Sequence, residues 1–330
     1  MGDLRDLGER KIIKKIVGLL DSMPDMPIPI GDDVSAIRID ERRLAVIKVD
    51  MLVGETDVPP GMSLRQAARK AMVMNVSDFA AKGVKPLAAL VSLGLPRGFR
   101  KEDVREIGFG INDGAREYGV YVIGGDTNET SDLIIDCALI GFCDEGRIVR
   151  RSGAKPGDMV AVTGFFGKTS SGLKILLEGL TPPERLRKPL VESVLMPKAR
   201  LKEGLALAEL GALTSSIDSS DGLAWSLHEL SEASGVCLLI DRIPVAPEVE
   251  MFAKEYGLNP INLSLYGGEE YELVVTVKPN LWNRAEKTLK NIGTTLIKIG
   301  RVMKGSGVKL EINGEKRIIE RKGWEHFRSG

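Results

Sequence analysis

Between residues 72 and 83 the chain reads MVMNVSDFAAKG, an apolar helical run with one carboxylate, Asp78, set inside it. Burying an unpaired carboxylate is costly, so any fold built on this helix must bring Asp78 a partner. The same demand recurs elsewhere. Asp50 ends the apolar strand LAVIKVD, Asp126 follows the strand YVIGG, and Asp32 and Asp33 follow Gly31 between a loop and a strand. Asp218 and Asp221 flank two serines in SIDSSDGL, directly before a helix. Taken alone, an Asp beside Gly reads as a turn or cap residue. Taken together, carboxylates at strand ends and in an apolar helix, with few basic residues paired to them, point to hard-cation sites. Mg2+ takes oxygen ligands and bridges one or two carboxylates to substrate phosphates, the recurring arrangement of phosphoryl transfer. The glycines agree. GGDTN and YGGEEYEL set Gly-Gly before acidic residues, where backbone approaches a ligand or bends sharply. SSDGL offers hydroxyls and free amides at a helix N-terminus, a natural anion site.

Apolar periodicity predicts the elements that would carry these groups. Helices are expected over residues 6–20, 63–82, 101–118, from 168 onward, and over 199–210, 222–234 and 281–291. Ser63 reads as the N-cap of the second and Gly83 as its stop. Strands are expected over 34–39, 44–49, 87–93, 120–123, 134–142, 159–163, 236–240, 272–277 and 295–299, with a hairpin over 308–319. RRSGAKPGD, residues 150–158, interrupts the alternation with a turn-rich stretch. The reading is a mixed α/β (α+β) chain of two domains, residues 1–150 and 151–330, a division its 330 residues also favour.

Lys plus Arg and Asp plus Glu number 46 each. That balance gives no electrostatic reason to expect nucleic acid or an anionic membrane as partner, so an anionic ligand must be held by local features. No apolar run is long enough to span a bilayer, and the first residues, MGDLRDLGERKIIKK, are charged rather than signal-like, so a cytoplasmic location is expected. Three widely spaced cysteines, Cys137, Cys143 and Cys237, make neither a disulfide framework nor a zinc knuckle and read as buried small hydrophobes. VTGFFGKTSSG imitates a phosphate-binding P-loop, but Gly164 and Gly167 enclose two residues where the motif needs four, so it reads as a strand-to-helix turn. His228 reads as structural.

The ordered set GDDVSAI, VDMLVGETD, NVSDFAAKGVKPLAAL, GGDTN, RRSGAKPGD, VTGFFGKTSSGL, DSSDGL, YGGEEYEL and GWEHF resembles the thiamine-monophosphate kinases, within the aminoimidazole-ribonucleotide-synthetase-like superfamily. The resemblance implies two α/β domains, with the N-terminal domains of two subunits joined into a β-barrel, hence a homodimer. It implies transfer of the γ-phosphoryl group of ATP to thiamine monophosphate with Mg2+. By motif, Asp32, Asp33, Asp50, Asp78, Asp126, Asp218 and Asp221 would be magnesium ligands, Asp126 and Asp221 closest to the chemistry. Gly125, Asp126, Arg151 and Ser220 would hold ATP phosphates. Glu269 and Trp324 would contact thiamine, although Trp324 equally suits anchoring of the tail. Lys48 and Val49 stand where the family often has small hydroxyl residues on the metals, which leaves their backbone as the expected contact. Asp57, in GETDVPPG, stands in the place of a substrate-contacting histidine, a form that looks archaeal. Aminoimidazole ribonucleotide synthetase and a non-catalytic nucleotide-binding homologue are the alternatives. Selenophosphate synthetase is disfavoured because no cysteine precedes Cys137.

Overall fold

A computed structural model describes residues 8–327 except 22 and 313. Its first half is built on strands β1 (Ser35–Arg38), β2 (Arg43–Val53), β3 (Pro86–Pro96), β4 (Tyr121–Thr130) and β5 (Ile134–Asp144), in the sheet order β1-β2-β5-β3-β4. Every pair is antiparallel except β3 with β4. Helices α1 (Glu9–Val17), α2 (Gly54–Asp57), α3 (Leu64–Lys82) and α4 (Lys101–Tyr118) complete this half. The second half is a seven-stranded sheet ordered β12-β11-β8-β10-β6-β9-β7. Its strands are β6 (Met159–Val162), β7 (Leu213–Asp218), β8 (Cys237–Ile240), β9 (Leu273–Val277), β10 (Ile297–Met303), β11 (Gly307–Ile312) and β12 (Glu315–Ile318). Helices α5 (Lys168–Glu178), α6 (Glu184–Leu195), α7 (Leu201–Glu209), α8 (Leu223–Ser234), α9 (Pro247–Tyr256), α10 (Pro260–Tyr266) and α11 (Trp282–Asn291) surround it.

The element that joins the halves is α3. A capping box starts it: Ser63 Oγ accepts from Gln66 N at 3.2 Å and Gln66 Oε1 accepts from Ser63 N at 2.9 Å. Gly83 ends it in the left-handed region, φ 64°, where a Cβ would lie 2.2 Å from that of Ala208. Between its ends nearly every residue from Ala67 to Lys82 is buried. It packs on β2 and β5 of one sheet and on β7 and α7 of the other, so one continuous apolar core runs through both halves. A helix enclosed on all sides has no solvent face, so its polar residues Lys70, Asn75, Ser77, Asp78 and Lys82 must find partners within the protein.

Several elements differ from the sequence reading. Strand β4 does not stop at Gly124 but runs through GGDTNET to Thr130, held by parallel pairing to β3. The glycine pair that looked like a strand end is there because β3 comes close: a Cβ on Gly125 would sit 1.8 Å from Val91 O. Strand β7, LTSSID, escaped the reading because it is rich in hydroxyl residues; Thr214 and Ser215 find partners inside the sheet, Ser215 Oγ and Thr276 Oγ1 lying 2.7 Å apart. Helices α6, α9 and α10 were likewise not anticipated; α6 carries Pro189 in its interior. The expected helix over 6–20 is observed as Glu9–Val17, and residues 6 and 7 lie outside the described residues. Cys137 and Cys237 are buried as expected, while Cys143 is half-buried. No described helix is long and apolar enough to cross a membrane.

One face of the five-stranded sheet is left bare. Ile47, Val49 and Met51 of β2, Leu87 and Leu90 of β3, and Tyr121 and Ile123 of β4 are all exposed. Strand β4 pairs only with β3, so its outer edge is open.

Candidate active site

Helix α3 delivers Asp78 to the junction of the halves, where β7 ends in Asp218 and the loop before β1 supplies Asp33. Oxygens of these three buried carboxylates lie within 4.8 Å of one another. Asp218 Oδ2 accepts from Ser77 Oγ at 2.7 Å. Burial, reinforced by Asp33, pushes the Asp218 carboxyl up to about 7. Asp78 is also raised well above the ordinary range, by burial first and then by Asp50, Asp218 and Asp33, with Lys48 opposing.

The sequence reading expected few bases near these acids, and the structure corrects it. Lys82 is fully buried, and its Nζ lies 2.6 Å from Asp32 Oδ1 and 2.7 Å from Asp33 Oδ2, while also donating to Ser216 O at 2.9 Å. Arg151 donates from Nε to Asp33 Oδ1 at 2.6 Å and from its backbone N to Asp32 Oδ2 at 3.1 Å. Burial alone would raise Asp33, but Lys82 and Arg151 override it and hold that carboxyl below its usual range. Lys48 enters from β2 with Nζ 3.0 Å from both Asp50 Oδ1 and Asp78 Oδ2. Here too the expectation of backbone contact alone fails for Lys48, whose side chain is in the cluster. The neighbouring Val49 is exposed. Burial would lower the Lys48 ammonium, but Asp78 and Asp50 keep it above the usual lysine range. Asn75 fixes the end of β2: Oδ1 accepts from Asp50 N at 2.9 Å and Nδ2 donates to Asp50 O at 3.2 Å.

Asp126 is not in this group. It lies on β4 opposite Ser92 of β3, itself opposite Asp136 of β5, and among the described residues its carboxylate makes no hydrogen bond or ion pair. Gly125 sits beside it on the same strand. Asp136, which sequence reasoning missed, has a buried Oδ1 without a hydrogen-bond partner, and its pKa is raised by burial and by Asp50. Its alternating strand, IIDCALI, was the available signal. Asp221 is also apart from the cluster. Arg10 Nη2 donates to its Oδ2 at 2.7 Å and stacks 3.1 Å from the centroid of Trp225. Burial raises Asp221 to about 6, against the pull of Arg10.

The loop after α10 ties the remaining candidates to the same site. Glu269 and Tyr271 are non-glycine residues in the left-handed region, φ 63° and 52°, a strain that persists only where surrounding contacts enforce it. Glu269 N donates to Ser220 O at 2.6 Å and Tyr271 N to Ser219 O at 3.0 Å, so this loop is stitched to the segment between Asp218 and Asp221. The Glu269 carboxylate pairs with Lys70 of α3, which is almost fully buried and also donates to Asp57 O at 2.9 Å. The Asp57 carboxylate accepts from Val53 N at 2.7 Å. Trp324 donates from its backbone N to Asp221 O at 3.0 Å, yet the residue is 56% exposed, and its Cβ lies beside Gly268, 3.6 Å from where a Cβ there would sit. The tail is anchored by this backbone bond, and the indole meets the His326 ring edge-on, centroids 5.9 Å apart.

The P-loop look-alike is a strand-to-helix turn. The amides of Gly167 and Thr169 at the start of α5 donate to Glu270 Oε1 at 2.6 and 3.2 Å, so a protein carboxylate already fills that helix N-terminus. His228 Nε2 lies 2.8 Å from Ile319 O, a structural contact.

An all-oxygen, buried donor set is what a hard cation such as Mg2+ requires, and Asp33, Asp78 and Asp218 fit it by chemistry and by spacing. The partnerless Asp136 Oδ1 is a further oxygen nearby in the sheet.

The chain matches known proteins along most of its length. Residues 31–143 match the AIR synthase related protein, N-terminal domain, and residues 155–313 the corresponding C-terminal domain. The chain is 40% identical over 303 residues to the thiamine-monophosphate kinase of Pyrococcus horikoshii, covering 91% of this chain and 92% of that protein. It is 37% identical over 298 residues to that of Nitrosopumilus maritimus, covering 90% and 93%. A solved structure of AaThiL complexed with AMPPCP and TMP superposes with a TM-score of 0.86 at 31% identity over 99% of both chains. With family domains matched along most of its length and relatives of this identity, the chain belongs to the thiamine-monophosphate kinases of the AIR synthase related family.

Proposed function

We propose that the chain moves the γ-phosphoryl group of ATP onto the phosphate of thiamine monophosphate, with Mg2+, giving ADP and thiamine diphosphate. The observation that carries this reading is the stitching of the Glu269 loop to the segment between Asp218 and Asp221. It sets an acidic cluster beside an exposed indole. Asp33, Asp78 and Asp218 would hold Mg2+, which when bound supplies charge neutralisation between two anionic phosphates. Asp32, Asp50, Asp126 and Asp221 are the candidates for ions that arrive with the nucleotide, and Gly125, Arg151 and Ser220 for contacts to its phosphates. The cavity of about 630 Å³ between α4 and β4, lined by Ile111, Ala115, Val120 and Tyr121 with the polar Asn112 and Arg116, is a mixed cleft from which β4 leads to Gly125 and Asp126. It suits a purine. The acceptor phosphate is already ionised at neutral pH, so the residues need only position the two anions in line and exclude water.

Trp324 offers an aromatic face and Glu269 a carboxylate to a thiazolium cation, contacts worth roughly 0.5–2 kcal/mol. Product analysis of ATP plus thiamine monophosphate tests the reaction. In the same assay Trp324→Ala is expected to raise KM for thiamine monophosphate roughly 3- to 30-fold with KM for ATP nearly unchanged. No diphosphate product, or an equal loss for both substrates, would overturn the reaction or the substrate site respectively.

The bare sheet face supports a homodimer. Exposed Ile47, Val49, Met51, Leu90, Tyr121 and Ile123 form a patch that a second copy of the same sheet would cover, closing the open edge of β4. Light scattering is expected to give twice the 35.9 kDa chain mass; a monomer mass at working concentration would rule the dimer out. A cytoplasmic location accords with these substrates.

A further inference from the structure

The acidic cluster carries much of its own counter-charge. Carboxylates of Asp32, Asp33, Asp50, Asp78 and Asp218 face the three cations Lys48, Lys82 and Arg151. Lys82 is shared between Asp32 and Asp33, and Arg151 is committed to Asp33 and to Glu229. Lys48 differs from both. Its Nζ stands 3.0 Å from one oxygen of Asp50 and 3.0 Å from one oxygen of Asp78, with its side chain 19% exposed. A cation equidistant from two carboxylates on different elements does electrostatically what a bridging metal ion does, with a single charge and no demand for octahedral geometry. A divalent ion placed there as well would lie against the ammonium and be repelled by it.

We infer that Lys48 is a resident counter-ion that holds the Asp50–Asp78 position, so that the nucleotide-free chain takes one divalent cation, at Asp33, Asp78 and Asp218, and no second one at Asp50. The inference rests on reading the cluster as a metal site, in which Asp33, Asp78 and Asp218 bring three oxygens within 4.8 Å of one another. Lys48 is thereby a positioning residue: it keeps Asp50 and Asp78 together before any ligand arrives.

The test is a titration of metal-stripped, nucleotide-free protein with Mn2+, with free ion read by electron paramagnetic resonance. Wild type and Lys48→Arg are expected to bind one Mn2+ per chain. Lys48→Met, which keeps the apolar stem and loses the charge, is expected to bind two and to gain more in melting temperature from Mn2+ than wild type does. If Lys48→Met binds the same number as wild type with the same affinity, or if wild type already binds two, the inference fails while the metal site stands. If neither protein binds Mn2+, the metal reading fails and takes the inference with it. Should Lys48→Met not fold, Asp50→Asn decides. With Lys48 holding that position, Asp50→Asn leaves the Mn2+ affinity within about threefold of wild type, whereas a loss of about tenfold or more, typical of disturbing a metal's supporting ligands, makes Asp50 a ligand and overturns the inference.

Discussion

Asp218→Asn is expected to lower turnover by about 10²–10³-fold, the size of effect seen when one preorganised electrostatic group is removed from a reacting site. The same substitution is expected to raise the melting temperature of the metal-free protein at pH 8. Burial holds the Asp218 carboxyl at about 7, far above an unfolded-chain aspartate. An acid with a raised folded-state pKa penalises the folded state above that pKa, and the penalty is relieved as pH falls through it towards the unfolded value. Asparagine keeps an oxygen for the hydrogen bond from Ser77 Oγ and never carries the charge. The stability gain should therefore be present at pH 8 and shrink between pH 7 and about pH 4. Turnover near wild type, or a variant less stable than wild type at pH 8, would remove Asp218 from the site.

Lys82→Met should act in the opposite sense, on stability first. Removing a fully buried ammonium strands two carboxylates and the Ser216 carbonyl without their partner. Breaking one side of a buried pair costs about 3–5 kcal/mol, which for a chain of this size lowers the melting temperature by roughly 4–7 °C. Asp33 supplies the sign check. Its pKa is held low in the folded protein chiefly by Lys82 and Arg151, against burial, so wild type gains from that pairing at neutral pH and loses the gain as pH falls through the carboxylate range. The deficit of the variant should accordingly be large at pH 8 and smaller at pH 3, below the ordinary aspartate value. Thermal melts at the two pH values check this; an equal deficit at both would mean that Lys82 contributes packing and not charge.

What could be read before any coordinates were available follows from how local each signal is. The ends of α3 were legible because a cap is written within four residues: Ser63 with Gln66 at one end, Gly83 at the other. The reach of β4 was not legible, because glycines argue against a strand unless the neighbouring strand is known to approach as closely as Val91 does. The aspartates stood out because carboxylates in apolar runs conflict with their surroundings. Their basic partners did not. A lysine in the last turn of a helix ordinarily complements the helix dipole at the surface, and nothing local to AAKG says that residues 32, 33 and 216 will close over Lys82. Arg10 is 211 residues from Asp221 in the chain, so its pairing exists only in the fold. Lys48 looked like a missing hydroxyl and is a placed charge.

Helix α3 also sets a length. Lys70 meets the Glu269 loop near one end, Asn75, Ser77 and Asp78 meet β2 and β7 in the middle, and Lys82 meets Asp32 and Asp33 at the other end. Twelve residues separate Lys70 from Lys82, a span of about 18 Å along a helix. The helix is thus a ruler with three graduations, and the distance from the Glu269 loop to the far acidic pair is fixed by the count of residues between them. Inserting or deleting a single residue in this stretch would turn one end about 100° relative to the other and put the two ends out of phase. This segment is therefore fixed in number, and at Lys70, Asn75, Ser77, Asp78 and Lys82 in composition as well.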